Sequence, residues 1–235
     1  MEFQNVLCRR KGGGRDIFMA QLETMSNFFA ARVVGYDEHM INDVEGCREG
    51  YPMMASLVPA TTLRLLDLGC GTGLELDEIF KLYPDIAVTG VDMTAEMLDE
   101  LRAKHPDKNM NLLCEDYFTA DFGVGYDCAV SFETMHHFKP EKKVGLYRKI
   151  YDALTADGCY IECDYMAQLQ EQEDYFFAEL ARMRAEQGIP EDVFVHYDTP
   201  CTVDNQIAML KNAGFTTVEK VFHLGNTVML IARKD

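Results

Sequence analysis

The stretch LLDLGCGTGLEL, residues 65–76, constrains the fold of this chain more than any other part of the sequence. A short apolar run ends at Asp67, glycines follow at Gly69, Gly71 and Gly73, and an amphipathic helical pattern then begins. Glycine lets the backbone turn tightly and lets a ligand rest against it. The helix that follows offers free N–H groups and a partial positive charge. This order of strand, glycine loop and helix predicts an α/β sheet that binds a ligand at the carboxyl edge of its strands.

Apolar strand-like runs alternate with helical segments on both sides of this loop. The alternation indicates a parallel sheet with helices on both faces. A further helix and two strands, joined by Gly225 and Asn226, complete the chain, and this turn predicts an antiparallel hairpin. Strands are predicted over 63–69, 87–93 and 159–166 and within 110–118 and 126–133, and helices over 73–84, 95–105, 139–158 and 203–213.

Four segments lie outside this alternating pattern. Residues 16–34, with Asp16 as a possible cap, and roughly 37–57 predict two helical stretches before the sheet. A long charged helix over 167–187 and an irregular stretch over 188–202 follow the fifth strand. A polar and aromatic loop of that length either covers a site or is mobile.

The chain is strongly acidic, which bears on its partners. It has 22 lysines and arginines against 39 aspartates and glutamates, a formal net charge of −17. Such a surface repels duplex nucleic acid unless a local basic patch opposes it. The only dense basic cluster, Arg9, Arg10, Lys11 and Arg15, lies in a probable N-terminal arm. The composition therefore argues against a nucleic-acid partner.

Cysteine spacing and hydropathy bear on metal binding and on the compartment. The 8 cysteines form no C-x-x-C pair, so zinc-ribbon spacing is absent and we expect no metal. No apolar run approaches the ~18 residues of a membrane span, and no secretory signal pattern follows the N-terminal basic residues. We expect a cytoplasmic protein with reduced thiols and no membrane partner.

The glycine loop also indicates what kind of ligand is bound. Dinucleotide-binding loops read G-x-G-x-x-G, and Leu74 occupies the position of the third glycine, which argues against a nicotinamide oxidoreductase. A carboxylate at Asp67 can accept hydrogen bonds from an ammonium group, while the helix N-terminus suits a carboxylate. A ligand with both groups is an amino acid.

Four sequence motifs together resemble those of class I S-adenosylmethionine-dependent methyltransferases. LLDLGCGTG resembles the first motif, and VTGVDMT has Asp92 at the end of the second strand, 25 residues after Asp67. CEDYF resembles the third motif, and YDCAVSFETMHHF resembles the fourth strand and its loop. The resemblance covers about residues 60–165 motif by motif and 203–235 by pattern.

This resemblance implies the fold and its division into parts. The fold class is α/β, a doubly wound, mostly parallel seven-stranded sheet of the Rossmann-like methyltransferase type. It carries an antiparallel C-terminal hairpin and a helical N-terminal lid. Residues 1–58 would form the N-terminal arm and lid, and residues 59–235 the catalytic domain that binds S-adenosylmethionine. A helical and loop insertion at 167–202 would contribute to the same lid.

The resemblance also implies the residues that bind the cofactor, S-adenosyl-L-methionine. Asp92 would take both ribose hydroxyls, because a carboxylate accepts two hydrogen bonds. Asp116 would bond the adenine amino group, and Tyr36 would lie against the methionine end. The full expected set is Tyr36, Asp67, Gly69, Cys70, Gly71, Gly73, Asp92, Met93, Glu115, Asp116, Tyr117 and Phe132.

The implied reaction is direct transfer of a methyl group to a small molecule. Its main demand is alignment of nucleophile, methyl group and sulfur, so positioning supplies much of the rate. A general base matters when the acceptor is a hydroxyl or a protonated amine. The candidates are His136, Glu133 and His196, in that order. Adjacent histidines often split roles, one packing and one facing the cleft, and a structural role for both His136 and His137 stays open.

The sequence leaves the acceptor and two rival functions open. The acidity allows a cationic or neutral small molecule, bound by a monomer or a homodimer. One rival is a carboxy-S-adenosylmethionine synthase-like enzyme, which needs an arginine near the methyl group to hold a carboxylate; Arg32 and Arg48 are candidates. The other rival is a non-catalytic regulator that binds S-adenosylmethionine.

Overall fold

The computed structural model describes residues 21–234, and within this range seven strands form one sheet. The strand order is β3-β2-β1-β4-β5-β7-β6, in which β1 to β5 are parallel and β7 is antiparallel to both β5 and β6. The predicted doubly wound α/β sheet with a C-terminal hairpin is therefore confirmed. The strands are β1 Arg64–Leu68, β2 Ala87–Asp92, β3 Met110–Cys114, β4 Tyr126–Phe132, β5 Leu154–Tyr165, β6 Thr217–Leu224 and β7 Thr227–Arg233.

Strand β1 lies at the centre of the parallel part. It pairs with β2 on one side and β4 on the other, with Leu65 opposite both Val88 and Cys128. Leu65, Leu66 and Leu68 are completely buried, because helices cover both faces of the sheet. The chain runs outward from β1 in both directions, and a crevice forms where the strand order reverses, at the carboxyl ends of β1 and β4.

Beyond the N-terminal segment, the helices match the predicted segments, with two main differences in their bounds. The stretch predicted over 37–57 is two helices, because Gly46 adopts a left-handed conformation with φ of 83° between them. The helix predicted over 139–158 ends at Ala153, because Leu154 already pairs with Tyr126 as the first residue of β5. The α-helices are α1 Met25–Ala30, α2 Tyr36–Asp43, α3 Cys47–Leu57, α4 Leu74–Leu82, α5 Ala95–Lys104, α6 Pro140–Ala153, α7 Gln170–Gln187 and α8 Val203–Asn212.

The N-terminal segment pairs with the irregular stretch 188–202. Thr24 forms an isolated antiparallel bridge with Val195. The Met25 amide donates to the Phe194 carbonyl at 3.1 Å. The segment predicted as a helix over 16–34 is thus helical only over α1 among its described residues. Asp16 and the basic residues 9–15 lie outside the described range.

Helix α2 is tied to the glycine loop and to α5 through Asp37. The Thr72 hydroxyl donates to the Asp37 carboxylate at 2.5 Å. Lys104, at the end of α5, donates to Asp37 at 3.0 Å and to Asp77 at 2.8 Å. These contacts hold α2 against the glycine loop at the carboxyl edge of the sheet. A lid formed by the N-terminal helices and the 188–202 stretch stays a prediction. Among residues 21–234, no helix is both long and apolar enough to cross a membrane.

A buried polar network joins β5, α6 and α8. Glu162 is completely buried and accepts hydrogen bonds from Tyr160, at 3.0 Å, and from the Gln206 side chain. Gln206 also donates to Tyr147, and its oxygen accepts from Lys143 at 3.4 Å. Burial raises the pKa of Glu162 to about 7.

The two glycines that precede α2 and α3 give a matched test of packing at the lid. Gly35 and Gly46 have φ of 86° and 83°, but only at Gly46 would a Cβ meet another residue, at 2.7 Å from the Thr227 Cβ. Each alanine substitution should cost ~1–2 kcal/mol for the left-handed conformation. Gly46→Ala should cost ~1–3 kcal/mol more, because the site is overpacked. Urea denaturation measures both, and equal losses would contradict this account.

We expect the free energy of unfolding to fall as the pH rises from about 5 to about 7. In the unfolded chain Glu162 ionises near its ordinary pKa of 4.5, whereas in the folded protein its pKa is raised to about 7. At Glu162 the folded state binds more protons in this window, so raising the pH reduces this group's contribution to the free energy of unfolding by at most ~1.4 kcal/mol per pH unit.

The variant Glu162→Gln should make this pH dependence shallower. The exposed Glu171→Gln, on α7, is the control for loss of one negative charge. Urea denaturation at pH 5, 6, 7 and 8 measures the slope, and an unchanged slope in Glu162→Gln would count against the shifted pKa.

Candidate functional site

A cavity of about 600 Å³, including its mouth, opens at the carboxyl ends of β1, β2 and β4. Its floor is the glycine loop and the ends of these strands, and its roof is α1, α2 and the 188–202 stretch. Nine of the residues expected to bind the cofactor line it, and they are Tyr36, Gly69, Gly71, Asp92, Met93, Glu115, Asp116, Tyr117 and Phe132.

The glycine loop needs its glycines for two different reasons. Gly69 has a φ of 72°, and a Cβ there would lie 2.5 Å from the Thr134 hydroxyl, so the neighbouring loop could not pack. Gly71 has a φ of 47°, and a Cβ there would meet only the Gly69 carbonyl oxygen, at 3.9 Å. A side chain at Gly71 would thus extend into the cavity that this residue lines. The loop is shaped to leave room for a ligand against its backbone.

Asp92 joins the glycine loop to the end of β2. One carboxylate oxygen accepts from the Gly71 amide at 3.0 Å, and the other accepts from the Thr94 amide at 2.8 Å. Burial raises the pKa of Asp92, and these amides oppose the rise. Each oxygen keeps a free lone pair, so the carboxylate can also accept both hydroxyls of a ribose.

Asp67 is completely buried beneath the loop and does not line the cavity. Burial raises its pKa to about 7, and Glu75 lies beside it with a pKa held well above its usual range by burial and by Asp67. Because its pKa is raised, Glu75 keeps the proton with which it hydrogen-bonds to Asp67. Asp67 thus has a partner beneath the loop, and a bridging water would have to join it to the ammonium group of a ligand. The open space beside Gly71 and the Asp92 carboxylate fit a ligand that lies on the loop.

The remaining expected cofactor residues have different environments. One oxygen of Asp116 accepts from the Phe118 amide at 2.9 Å, and the other is free for a ligand. The Tyr117 hydroxyl lies 3.1 Å from that of Thr134 at the back of the cavity. Cys70 and Gly73 do not line the cavity: Cys70 is buried against Gly90, and Gly73 precedes α4.

Three histidines converge on one aspartate at the lid side of the cavity. We call His136, His137, His196 and Asp198 the histidine cluster. One Asp198 oxygen lies 3.5 Å from His136 Nε2, 3.6 Å from His137 Nδ1 and 3.9 Å from His196 Nε2. On its other side, His136 Nδ1 lies 2.7 Å from the Asp164 carboxylate.

The histidines of this cluster have opposite pKa shifts. Burial alone would lower the pKa of His136, but the Asp164 and Asp198 carboxylates outweigh it and hold that pKa well above its usual range. Burial and the adjacent His136 hold the pKa of His137 well below its usual range. Burial lowers the pKa of His196 to about 4.

The structure brings the three expected proton-transfer residues close together, but only one of them lines the cavity. Glu133 lines it, His136 lies behind it, and His196 stacks on Phe28 at 3.4 Å between ring centroids. Glu133 has a φ of 49°, the one positive value among the described residues other than glycine. Such backbone strain is typical of functional sites. Burial raises the pKa of Glu133 to about 8.

Several cavity residues escaped the sequence analysis. His137 is the histidine that faces the cavity, and Phe138 lies beside it. The adjacent histidines signalled that one of them would face the cleft, but not which one. Met25, Phe29 and Phe194 form the apolar roof, and their positions follow from the pairing of the N-terminal segment with the 188–202 stretch, which no local pattern specifies.

Comparison with known proteins identifies a methyltransferase-domain family and relatives named carboxy-S-adenosyl-L-methionine synthase. A methyltransferase-domain family model matches residues 65–158. A carboxy-S-adenosyl-L-methionine synthase of Nautilia profundicola is 30% identical over 191 residues, which cover 73% of this chain and 77% of that protein. A carboxy-S-adenosyl-L-methionine synthase of Campylobacter hominis is 25% identical over 240 residues, covering 93% and 99%.

Solved structures with the same fold include methyltransferases. Human N-acetylserotonin methyltransferase, in complex with S-adenosylmethionine, has a TM-score of 0.64 at 16% identity, covering 89% of this chain and 56% of that one. An O-methyltransferase family protein from Burkholderia thailandensis has a TM-score of 0.68 at 13% identity, covering 90% and 63%. The chain thus spans less than two thirds of the length of either protein.

Asp92→Ala should weaken S-adenosylmethionine binding at least ~10-fold, since a charge-assisted hydrogen bond contributes ~1.5–3 kcal/mol and the Gly71 amide also loses its acceptor. Calorimetric titration measures the affinity. Asp99→Ala is the control, because Asp99 is exposed on the adjacent α5 and its loss changes the charge equally. Equal affinity for both variants would contradict the assignment of Asp92.

Proposed function

The chain belongs to the class I S-adenosylmethionine-dependent methyltransferase family and uses S-adenosylmethionine, and from this premise we propose that it methylates a small neutral or cationic molecule. The acceptor would bind under the roof of Met25, Phe29 and Phe194, next to the methyl group. The observation that carries the proposal is the charge of the cavity wall, which has four acidic residues and, within the described part of the chain, no lysine or arginine.

The acidic wall selects the acceptor by its charge. Asp92, Glu115, Asp116 and Glu133 line the cavity, and the first three lie on the side expected to hold ribose and adenine. Glu133 lies towards the histidine cluster, 3.7 Å from His136. An anionic acceptor would meet Asp92, Glu115 and Asp116 with no lysine or arginine in the cavity lining to offset their charge, whereas Glu133, with its raised pKa, keeps its proton near pH 7. A neutral or cationic nucleophile is not penalised in this way.

S-adenosylmethionine supplies a methyl group already activated by a positive sulfur, so the chain has mainly to align the acceptor. Aromatic side chains carry out this alignment: Phe138 and Phe194 stack at 5.0 Å between centroids, and Phe29 lies edge-on to Tyr36 at 6.1 Å. The same residues exclude water. Exclusion favours the reaction, because charge on sulfur disappears in the transition state.

An acceptor that carries a proton needs a group to receive it. We assign this task to the histidine cluster, which adjoins Glu133 and the roof. His137 is its cavity-lining member, and a depressed pKa keeps that imidazole neutral and able to take a proton. His136 is the better partner for the carboxylates of Asp164 and Asp198, since its raised pKa keeps it positively charged. The proton transfer to His137 is thus supported by His136 behind it and by Glu133 and His196 beside it.

A second candidate function, formation of a carboxylated S-adenosylmethionine, is favoured by the names of the relatives in sequence. It would require a cation beside the methyl group to hold the new carboxylate. The two arginines considered for this role are engaged elsewhere. Arg32 bonds Glu23 and the Phe28 carbonyl, and the exposed Arg48 donates to Asn42 at 2.5 Å. Neither lines the cavity.

The product distinguishes these functions. The protein is incubated with S-adenosylmethionine and pools of amines, phenols, thiols and carboxylic acids, and the nucleoside products are identified by mass spectrometry. Formation of S-adenosylhomocysteine with an amine, phenol or thiol would support the proposal. A heavier sulfonium that has gained a carboxylate would establish the second candidate. Tight binding with no product in any pool would favour a regulator.

Phe194→Ala should raise the KM for the acceptor ~10-fold or more, because a large aromatic wall is removed, while S-adenosylmethionine affinity changes little. Tyr175→Ala, on the half-exposed surface of α7, is the control for loss of an aromatic residue. Initial rates at saturating S-adenosylmethionine measure the effect. If both variants kept the parent KM, the roof would not bind the acceptor.

A further inference from the structure

The histidine cluster has a geometry that hydrogen bonding does not explain. Three imidazole nitrogens surround one Asp198 oxygen at 3.5, 3.6 and 3.9 Å. Hydrogen bonds between nitrogen and oxygen are typically ~2.7–3.2 Å long, so each contact is too long to be a good one. Only the contact of His136 with Asp198, at 3.5 Å, is within reach of a hydrogen bond, and it is a long one.

The same distances suit a shared metal ion. Ligand atoms at ~2.1 Å from a tetrahedral ion lie ~3.4 Å apart. The 3.5 and 3.6 Å separations of His136 and His137 from Asp198 are close to that value, and the 3.9 Å separation of His196 is slightly larger. The ligand atoms of His136, His137 and Asp198 all lie within 4.8 Å of one another.

His137 provides an independent observation that points to a ligand. Its side chain is 5% exposed, and its Nδ1 atom has no hydrogen-bond partner among the described residues. This is also the atom that faces Asp198. A buried nitrogen without a partner is costly, and a bound cation would satisfy it through the imidazole lone pair.

The surroundings resemble the outer shell of a metal centre. His136 turns Nε2 towards Asp198 while its Nδ1 lies 2.7 Å from Asp164, a carboxylate–histidine pairing that orients metal ligands. Asp164 and Asp198 bring two carboxylates against His136, with Glu133 beside them, and across residues 21–234 no lysine or arginine forms an ion pair with these acids. A divalent cation would balance this charge.

We propose that His136, His137 and Asp198 bind a divalent first-row transition-metal ion such as zinc or ferrous iron, with the neighbouring His196 as a fourth ligand. The ion would replace the proton on His136 Nε2. Imidazole nitrogens with one carboxylate suit these ions, whereas magnesium and calcium prefer oxygen ligands. The ion would lie at the acceptor end of the cavity, because His137 lines it. This role rests on the proposed function: an acceptor oxygen bound to the ion loses its proton more readily, so in the metal-bound protein the ion, rather than His137 Nδ1, activates the acceptor.

Titration of the chelator-treated protein with Co²⁺ tests the site directly. Cobalt in a tetrahedral site of nitrogen and oxygen ligands gives visible absorption bands without the near-ultraviolet band of a bound thiolate. This distinction matters because the described cysteines are free thiols and Cys114 is exposed. We expect one equivalent of Co²⁺ to bind with these bands and Zn²⁺ to displace it.

Variants locate the ion. His137→Ala and Asp198→Ala should each weaken Co²⁺ binding at least ~10-fold, and Asp164→Asn should weaken it ~10-fold by releasing the orientation of His136. His39→Ala is the control, because His39 and Asp43 form an exposed histidine–aspartate pair 3.0 Å apart. It should leave the affinity unchanged.

The outcomes are distinct. No stoichiometric Co²⁺ binding, or binding that survives both His137→Ala and Asp198→Ala in folded protein, would overturn the metal site. Circular dichroism establishes folding of each variant. Metal binding is measured without S-adenosylmethionine and without an acceptor, so a failure of the metal site and a failure of methyl transfer are observed separately.

Discussion

Strand β1 hydrogen-bonds to β2 on one side and to β4 on the other, and the remaining architecture depends on this pairing. The chain leaves β1 in one direction and returns on its other side, so the loops after these strands separate and form a crevice. Asp92 then spans the crevice floor, because its two oxygens hold the amides of Gly71 and Thr94. A ligand on this floor meets a shape set by the backbone.

The opposite side of the cavity has a different physical character. It is made from segments distant in the sequence, which meet through the Thr24–Val195 bridge and the Asp37 contacts with Thr72 and Lys104. Its roof is apolar and its far wall contains Glu133 and the histidine cluster. The floor and the roof are built from different segments. The same fold can therefore keep one cofactor site while its roof differs for different acceptors.

Carboxylates dominate the charge of this site, and both proposals follow from that fact. Along the cavity wall, the acids have no basic partner within the described residues, which favours a neutral or cationic acceptor. Towards the histidine cluster, the only ion-pair partners of the acids Glu133, Asp164 and Asp198 among the described residues are histidines. The strained Glu133 backbone, with φ of 49°, is at the junction of the two regions.

The sequence by itself determined the sheet, the hairpin and the cofactor floor, because strand periodicity and glycine spacing are local signals. Gly71 and Asp92 were recognisable since each follows its own strand. The break at Gly46 and the early end of α6 were not, because contacts with Thr227 and pairing with Tyr126 decide them. Only the tertiary structure brought His137 together with Asp198, because two loops that are distant in the sequence pack against one another. No local spacing along the chain specifies such a contact.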